Sequence, residues 1–165
     1  MLDGERFLID GILNEPTDAN MWYQLGLFYR THDMVWDCVR AMTHALRLLP
    51  TYAQALAVMG GTLADNTNYT LAIAPLEKAL QLHPGDLYAR ANIVLSNAWT
   101  CQWVRNRHHI ELFIQQLQAG LDGDVKAFPA PAHMLFIIGG YREAGGLGLP
   151  LMTYRRWVDA WAQVS

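Results

Sequence analysis

The chain has 165 residues, 52% hydrophobic and 16% charged, with 12 Lys+Arg against 15 Asp+Glu and a formal net charge of −3. This length builds one compact domain or a short repeat array, and the composition excludes a disordered chain. The near-neutral balance excludes a dominant nucleic-acid surface. Apolar runs such as Met134–Ile138 fall far short of the roughly 20 residues that span a bilayer. The start, MLDGERFLID, sets Asp3, Glu5 and Arg6 ahead of any apolar run, which is not a secretory pattern. Cys38 and Cys101 are far apart and form no metal or redox motif. The expectation is a cytoplasmic protein without membrane insertion or nucleic-acid partner.

In chain order, three phrases end on proline at a spacing of 34: GILNEP at Pro16, ALRLLP at Pro50 and ALQLHP at Pro84. The segment from Ala19 carries Trp22, Leu25, Gly26 and Tyr29, then Cys38, Met42 and Ala45. The segment from Ala53 carries Leu56, Met59, Gly60 and Leu63, then Ala72, Leu76 and Ala79. Gly4, Leu8, Gly11 and Pro16 fit the second half of a preceding unit. Gly26 and Gly60, with Ala45 and Ala79, allow close helix approach, and Trp22, Tyr29 and Leu56 fill the gaps. Pro50 and Pro84 disfavour helix at the residue before them. Asp18 and Asp86 are placed to accept N–H groups at helix starts.

A third unit from Leu87 has a plausible first helix, LYARANIVLSNAW, but Arg90, Val94 and Asn97 replace the expected large residue, glycine and aromatic. No second helix matches the signature, so the array is expected to end near Trp103. Ile110, Phe113, Ile114, Leu117 and Leu121 then predict an amphipathic helix over 107–121, with Gly123 as its stop. A Pro/Gly-rich loop with prolines at 129, 131 and 150 follows, then a helix over 152–163 carrying Tyr154, Trp157, Val158 and Trp161.

With a period of 34 and eight matching positions in each of two units, the chain resembles a tetratricopeptide-repeat protein. The resemblance implies an all-α solenoid of helical hairpins with a helical C-terminal cap. Residues 1–18 are a half repeat, 19–52 and 53–86 full repeats, and 87–103 a degenerate repeat, with the cap over 104–165. A second resemblance covers the C-terminal part. Cys101-Gln102-Trp103, a Phe-Pro segment, Met134-Leu135-Phe136 and Arg155-Arg156-Trp157 are similar to the segment joining repeats to the catalytic half in O-linked N-acetylglucosamine transferases and SPINDLY-like proteins. Gln102 stands where that family has an acid, and its paired histidines are reduced to His133. The chain stops at Ser165, where the nucleotide-sugar domains would begin.

No catalytic, cofactor or metal residue is assigned. His133 lacks a pocket and a positioned partner. The run Arg105-Asn-Arg-His108-His109 would suit a phosphate or acidic peptide, or simply the solvated start of a helix. His32, His44 and His83 lack metal-ligand spacing. The glycine-rich run at 139–150 lacks the Lys-Ser/Thr of a phosphate cradle. The aromatics Trp99, Trp103, Phe113, Phe128, Trp157 and Trp161 form either a ligand pocket or the closed end of a core, the commoner use.

The repeat resemblance further implies a concave groove lined by positions 2, 5, 6, 9, 12 and 13 of each unit. The partner-binding residues expected from it are Tyr23, Gln24, Leu27, Arg30, Gln54, Asn92, Leu95 and Trp99. Ala57, Gly61, Ala64 and Ala91 are expected to leave room at its centre. Tyr23 and Leu27 stand where carboxylate-clamp members carry lysine and asparagine. The transferases' asparagine ladder at position 6 reads Gln24, Val58, Asn92, broken in the middle. The leading expectation is a non-catalytic module that binds a peptide or partner subunit, with oligomerisation possible. The alternatives are the front portion of a glycosyltransferase and a small secretion-type chaperone.

Overall fold

The computed structural model describes residues 3–121. They form seven helices and, among the described residues, no strand: α1 (Asp3–Asn14), α2 (Ala19–Thr31), α3 (Val35–Leu48), α4 (Ala53–Asp65), α5 (Tyr69–Leu82), α6 (Leu87–Trp99) and α7 (Trp103–Leu121). The chain divides after Pro84 into two compact units. The first holds α1 to α5 and the second begins with the hairpin α6–α7. The Pro/Gly-rich loop, the 152–163 helix, His133, Met134–Phe136, Trp157 and Trp161 lie outside the described residues.

Local chemistry sets the helix ends. Asp18 accepts the Asn20 N–H at 2.8 Å, and Asp86 accepts the Ala89 N–H at 2.9 Å. α3 and α5 stop two residues before Pro50 and Pro84. The intervening Leu49 and His83 adopt almost the same extended conformation, φ/ψ −133/89 and −132/84, the region that a following proline favours. Pro75, by contrast, sits inside α5 and is buried. It has no N–H to give the carbonyl of Leu71, yet the helix continues to Leu82.

The turn between paired helices has one construction, used three times. Met34 N–H donates to Tyr29 O at 2.9 Å, Asn68 N–H to Leu63 O at 2.8 Å, and Gln102 N–H to Asn97 O at 2.9 Å. The residue before each donor is left-handed: Asp33 at φ 57°, Thr67 at φ 62° and Cys101 at φ 58°. These are Schellman-type endings, in which a left-handed residue lets a later N–H reach back to an orphan carbonyl. Asp33, Thr67 and Cys101 are spaced by 34 residues, so the backbone period runs on into α6–α7.

In the first unit, hairpins α2–α3 and α4–α5 close on small residues. A methyl group built on Gly60 would lie 2.5 Å from Leu76 Cγ and 3.2 Å from Ala72 O; one on Gly26 would lie 2.6 Å from Met42 Cε. Met42 and Leu76 have no exposed surface, and burial of each contributes roughly 1.5–3 kcal/mol. Cys38, Met42, Ala45, Ala55 and Val58 form one core cluster, with Trp22, Tyr23, Leu27 and Tyr29 packed against it. Ile12, Leu25 and Ala41 form another and tie α1 to α2 and α3. Tyr29 Oη donates to Glu5 Oε1 at 3.0 Å, so the N-terminal half repeat docks as a helix.

In the second unit the amphipathic helix expected over 107–121 is present. α7 starts at Trp103 rather than 107 and pairs with α6. Its buried residues Asn106, Ile110 and Phe113 stand 34 positions after Ala72, Leu76 and Ala79. Cys101–Trp103, expected at the end of the array, form the tight turn of this hairpin and the start of α7. Of the proposed aromatic cluster, Phe113 is fully buried and Trp99 is exposed.

The polar replacements lie in the seam between α6 and α7. Asn97 is 0% and Asn106 1% exposed. Asn106 Nδ2 donates to Val94 O at 3.0 Å. Asn106 Oδ1, both polar atoms of Asn97 and His109 Nδ1 have no hydrogen-bond partner. A dry orphan of this kind costs about 1–3 kcal/mol. His109 is half-buried, and its pKa is lowered to about 4 by burial, reinforced by Arg90, His108 and Arg105. Of the basic run around it, Arg105, Arg107 and His108 are exposed.

Candidate partner-binding face

The face the repeat assigns to binding is built, in the first unit, by α2 and α4. The helical period places Tyr23, Gln24, Leu27 and Arg30 along one side of α2. At one end, the Tyr23 and Tyr52 rings stand 5.0 Å apart, and Tyr52 Oη donates to Asn20 Oδ1 at 3.3 Å. Burial pushes both phenol pKa values up, and Arg30 partly opposes this at Tyr23. Tyr23 is therefore a neutral, half-buried platform with a polar tip. At the other end, Arg30 Nη2 meets Asp65 Oδ2 at 3.3 Å. The two charges offset each other across the helix ends, and each remains about a third exposed. Gln24 and Gln54 are exposed between these ends.

The centre of this face is built mostly of short side chains. Ten of the 13 residues of α4 are buried, including Ala57, Val58, Gly61 and Ala64. α4 is packed against α2, α3 and α5, and side chains ending at Cβ do not reach past larger neighbours to water. Leu27 and Tyr23 are partly committed to the cluster containing Val58. The exposed functionality on this face is thus amide and charge: Gln24, Gln54, Arg30 and Asp65.

Beyond Arg30 the face ends in a cleft of about 80 Å³ lined by Arg30, Asp33, Val35, Thr62, Asp65 and Asn66. Arg30 is among the residues expected in the groove, and Asp65 stands at position 13 of its unit, one of the groove positions; the other four were not expected there. The signal was Asp33, a charged residue at the left-handed turn position. Thr62 is buried there, with its hydroxyl 3.6 Å from Cys38 Sγ. Burial raises the pKa of that thiol, with smaller opposing effects from Thr62 and Arg30.

On the second unit, α6 carries the remaining expected residues. Trp99 is 52% exposed and Leu95 half-buried. Asn92 is only 5% exposed, and its Nδ2 donates to Tyr88 O at 3.0 Å on its own helix. One N–H of its amide is thus turned onto the helix that carries it. No described helix is long and apolar enough to cross a membrane.

No family model and no curated protein matches the chain. Solved structures do. A crystal structure of MamA aligns with a TM-score of 0.69 at 16% identity, covering 96% of this chain and 87% of that one. MamA from residue 41 onward, from Desulfovibrio magneticus RS-1, aligns at 0.63 and 18%, covering 97% and 81%. YrrB, described as a tetratricopeptide protein with an unusual peptide-binding site, aligns at 0.62 and 17%, covering 94% and 75%. With the turn repeated at Asp33, Thr67 and Cys101, these likenesses establish the fold as an all-α helical solenoid of tetratricopeptide type.

Proposed function

We propose that the chain is a non-catalytic interaction module and that a protein segment lies across the α2–α4 face. The observation that carries this reading is the pair of exposed amides, Gln24 and Gln54, between the Tyr23–Tyr52 platform and the Arg30–Asp65 pair. Amides at this spacing offer donors and acceptors to a polypeptide backbone. The neutral charge balance suits an uncharged stretch of chain rather than a terminal carboxylate. Leu95 and Trp99 are proposed as partner contacts of the second unit taken by itself. YrrB supports the reading by fold alone, as a peptide-binding solenoid of the same type.

Site-specific photo-crosslinking tests this. A photoreactive residue at Gln24 or Gln54 is expected to capture a partner polypeptide, while the same residue at the exposed Lys78 is not. Crosslinks from position 78 with none from 24 and 54 would move the interface off this face. Gln24→Glu combined with Gln54→Glu is expected to weaken binding with little change in melting temperature, since both side chains are solvated.

A further inference from the structure

We infer that the α6–α7 hairpin encloses ordered water in a polar seam and opens more readily than the hairpins α2–α3 and α4–α5. The argument starts from repeat offsets. At the position of Tyr29 and Leu63 the third hairpin has Asn97, and at that of Cys38 and Ala72 it has Asn106. In the first unit Cys38 and Ala72 are fully buried, and Leu63 nearly so. The third hairpin keeps the burial and changes the chemistry.

Asn97 has neither edge of its carboxamide paired, Asn106 has its oxygen unpaired, and His109 has an unpaired ring nitrogen on the same side of α7. Their placement is coherent. The Asn106–Val94 hydrogen bond sets Asn106 against α6 one helical turn before Asn97, and His109 follows Asn106 by three residues. Buried polar groups are nearly always satisfied by protein or ordered water, and an internal water characteristically makes about three hydrogen bonds. Asn97 offers a donor group and an acceptor, Asn106 an acceptor, and His109 a donor or acceptor according to tautomer. Water, which both donates and accepts, is the ligand class that satisfies all of them.

Opening follows from the same groups. Water can solvate these amides in the open state as well as in the closed one, so closing gains little from them. The matching layers of α2–α3 and α4–α5 instead bury apolar atoms, which resist opening. Local opening of α6–α7 would expose Ile93, Val94, Ile110 and Phe113, all buried when the hairpin is closed.

Two measurements on the full chain decide this. Water-to-protein magnetisation transfer is expected to show long-lived contacts at the Asn97 and Asn106 side-chain amides. Native-state hydrogen exchange is expected to show amides of residues 90–98 and 106–113 exchanging at least tenfold faster than those of α4 and α5. A dry seam, or protection equal to that of α4 and α5, overturns the inference. Asn97→Leu is expected to remove the water contact and slow exchange across α6–α7 by about tenfold; faster exchange in that variant would mean Asn97 makes direct stabilising bonds. If Asn97→Leu does not fold, the two wild-type measurements still decide.

Discussion

A methyl group at position 60 tests the packing of the fold directly. On a solvated helix, glycine to alanine is stabilising by about 1 kcal/mol. At Gly60 the new Cβ would stand 2.5 Å from Leu76 Cγ, 2.8 Å from Leu76 Cδ2 and 3.2 Å from Ala72 O. Cγ is the branch point of the leucine, so relief needs a new χ1 or a shift of α5, and Leu76 has no exposed surface to move into. Over-packing costs about 1–3 kcal/mol, which outweighs the helix-propensity gain and leaves Gly60→Ala destabilised by about 1 kcal/mol. For a chain of this length that lowers the melting temperature by about 2–4 °C. Gly60→Leu adds three further carbons at the same place and is expected to fall well below Gly60→Ala. Gly26→Ala meets the terminal methyl of Met42 at 2.6 Å, a longer and more adaptable side chain, so its loss should be smaller. Circular-dichroism melts and urea titrations rank the three variants. Combined with Leu76→Ala, the alanine at 60 should lose less than the sum of the single changes, because the space it needs has been vacated. A rise in stability for Gly60→Ala, as on an open helix face, would refute the close approach of α4 and α5.

Further expectations rest on single groups. Thr67 is a β-branched residue at φ 62°, so Thr67→Gly should relieve strain and raise stability by about 1 kcal/mol, read as a shift in urea midpoint. Asp86→Ala removes the carboxylate that accepts the Ala89 N–H and should cost about 1 kcal/mol by the same titration. His109 has its pKa lowered to about 4 from 6.5. The unfolded chain therefore takes up this proton first, and stability, full above pH 6.5, falls as the pH drops toward 4 and is level below it for this group. His109→Gln should flatten that slope in melts recorded between pH 4 and 7; an unchanged slope would show that His109 is not its source. Leu27→Glu should lower the melting temperature, since Leu27 packs against the core cluster, whereas the paired changes at Gln24 and Gln54 should not.

The parts of this fold legible in the sequence are those where one residue type has one structural use. Gly26 and Gly60 mark close approach, Pro50 and Pro84 mark helix ends, and Asp18 and Asp86 mark helix starts. Gly26 and Gly60 take the predicted place because a larger side chain would meet Met42 or Leu76, and Asp18 and Asp86 because each accepts a backbone N–H at a helix start. Pro75 escaped notice, since a proline inside a helix interior contradicts its own local preference and only tertiary packing holds it there. The candidate face is legible in the sequence by helical register but not by depth. Helical spacing lays Tyr23, Gln24, Leu27 and Arg30 along one side of α2, but whether a residue at such a position reaches water depends on the height of its neighbours. Ala57, Gly61 and Ala64 are short beside theirs. Asn92 shows a related effect: an asparagine on a helix can donate to the carbonyl four residues back, and Asn92 does so at 3.0 Å.

The third hairpin shows which part of a repeat carries its fold. At the four offsets where the units before it have Leu56, Gly60, Leu63 and Ala72, it has Arg90, Val94, Asn97 and Asn106. A reading based on side-chain types therefore stops at the end of α6. The backbone continues the period, with Cys101 at φ 58° where Asp33 and Thr67 have 57° and 62°. The reach-back bond from Gln102 is the length of the others within 0.1 Å. A left-handed cysteine has no intrinsic advantage over the alanine or serine that could stand there. The turn must then be imposed by the two helices it joins, and Ile93, Val94, Ile110 and Phe113 are what join them. If so, Cys101→Gly should stabilise the hairpin without altering it, whereas Phe113→Ala, which removes a wholly buried ring at an expected cost of about 3–5 kcal/mol, should release α7 from α6 while α2 to α5 stay folded. Hydrogen exchange resolved by helix distinguishes that outcome from its opposite, loss of protection in all the helices together, which would show that the two units unfold as one.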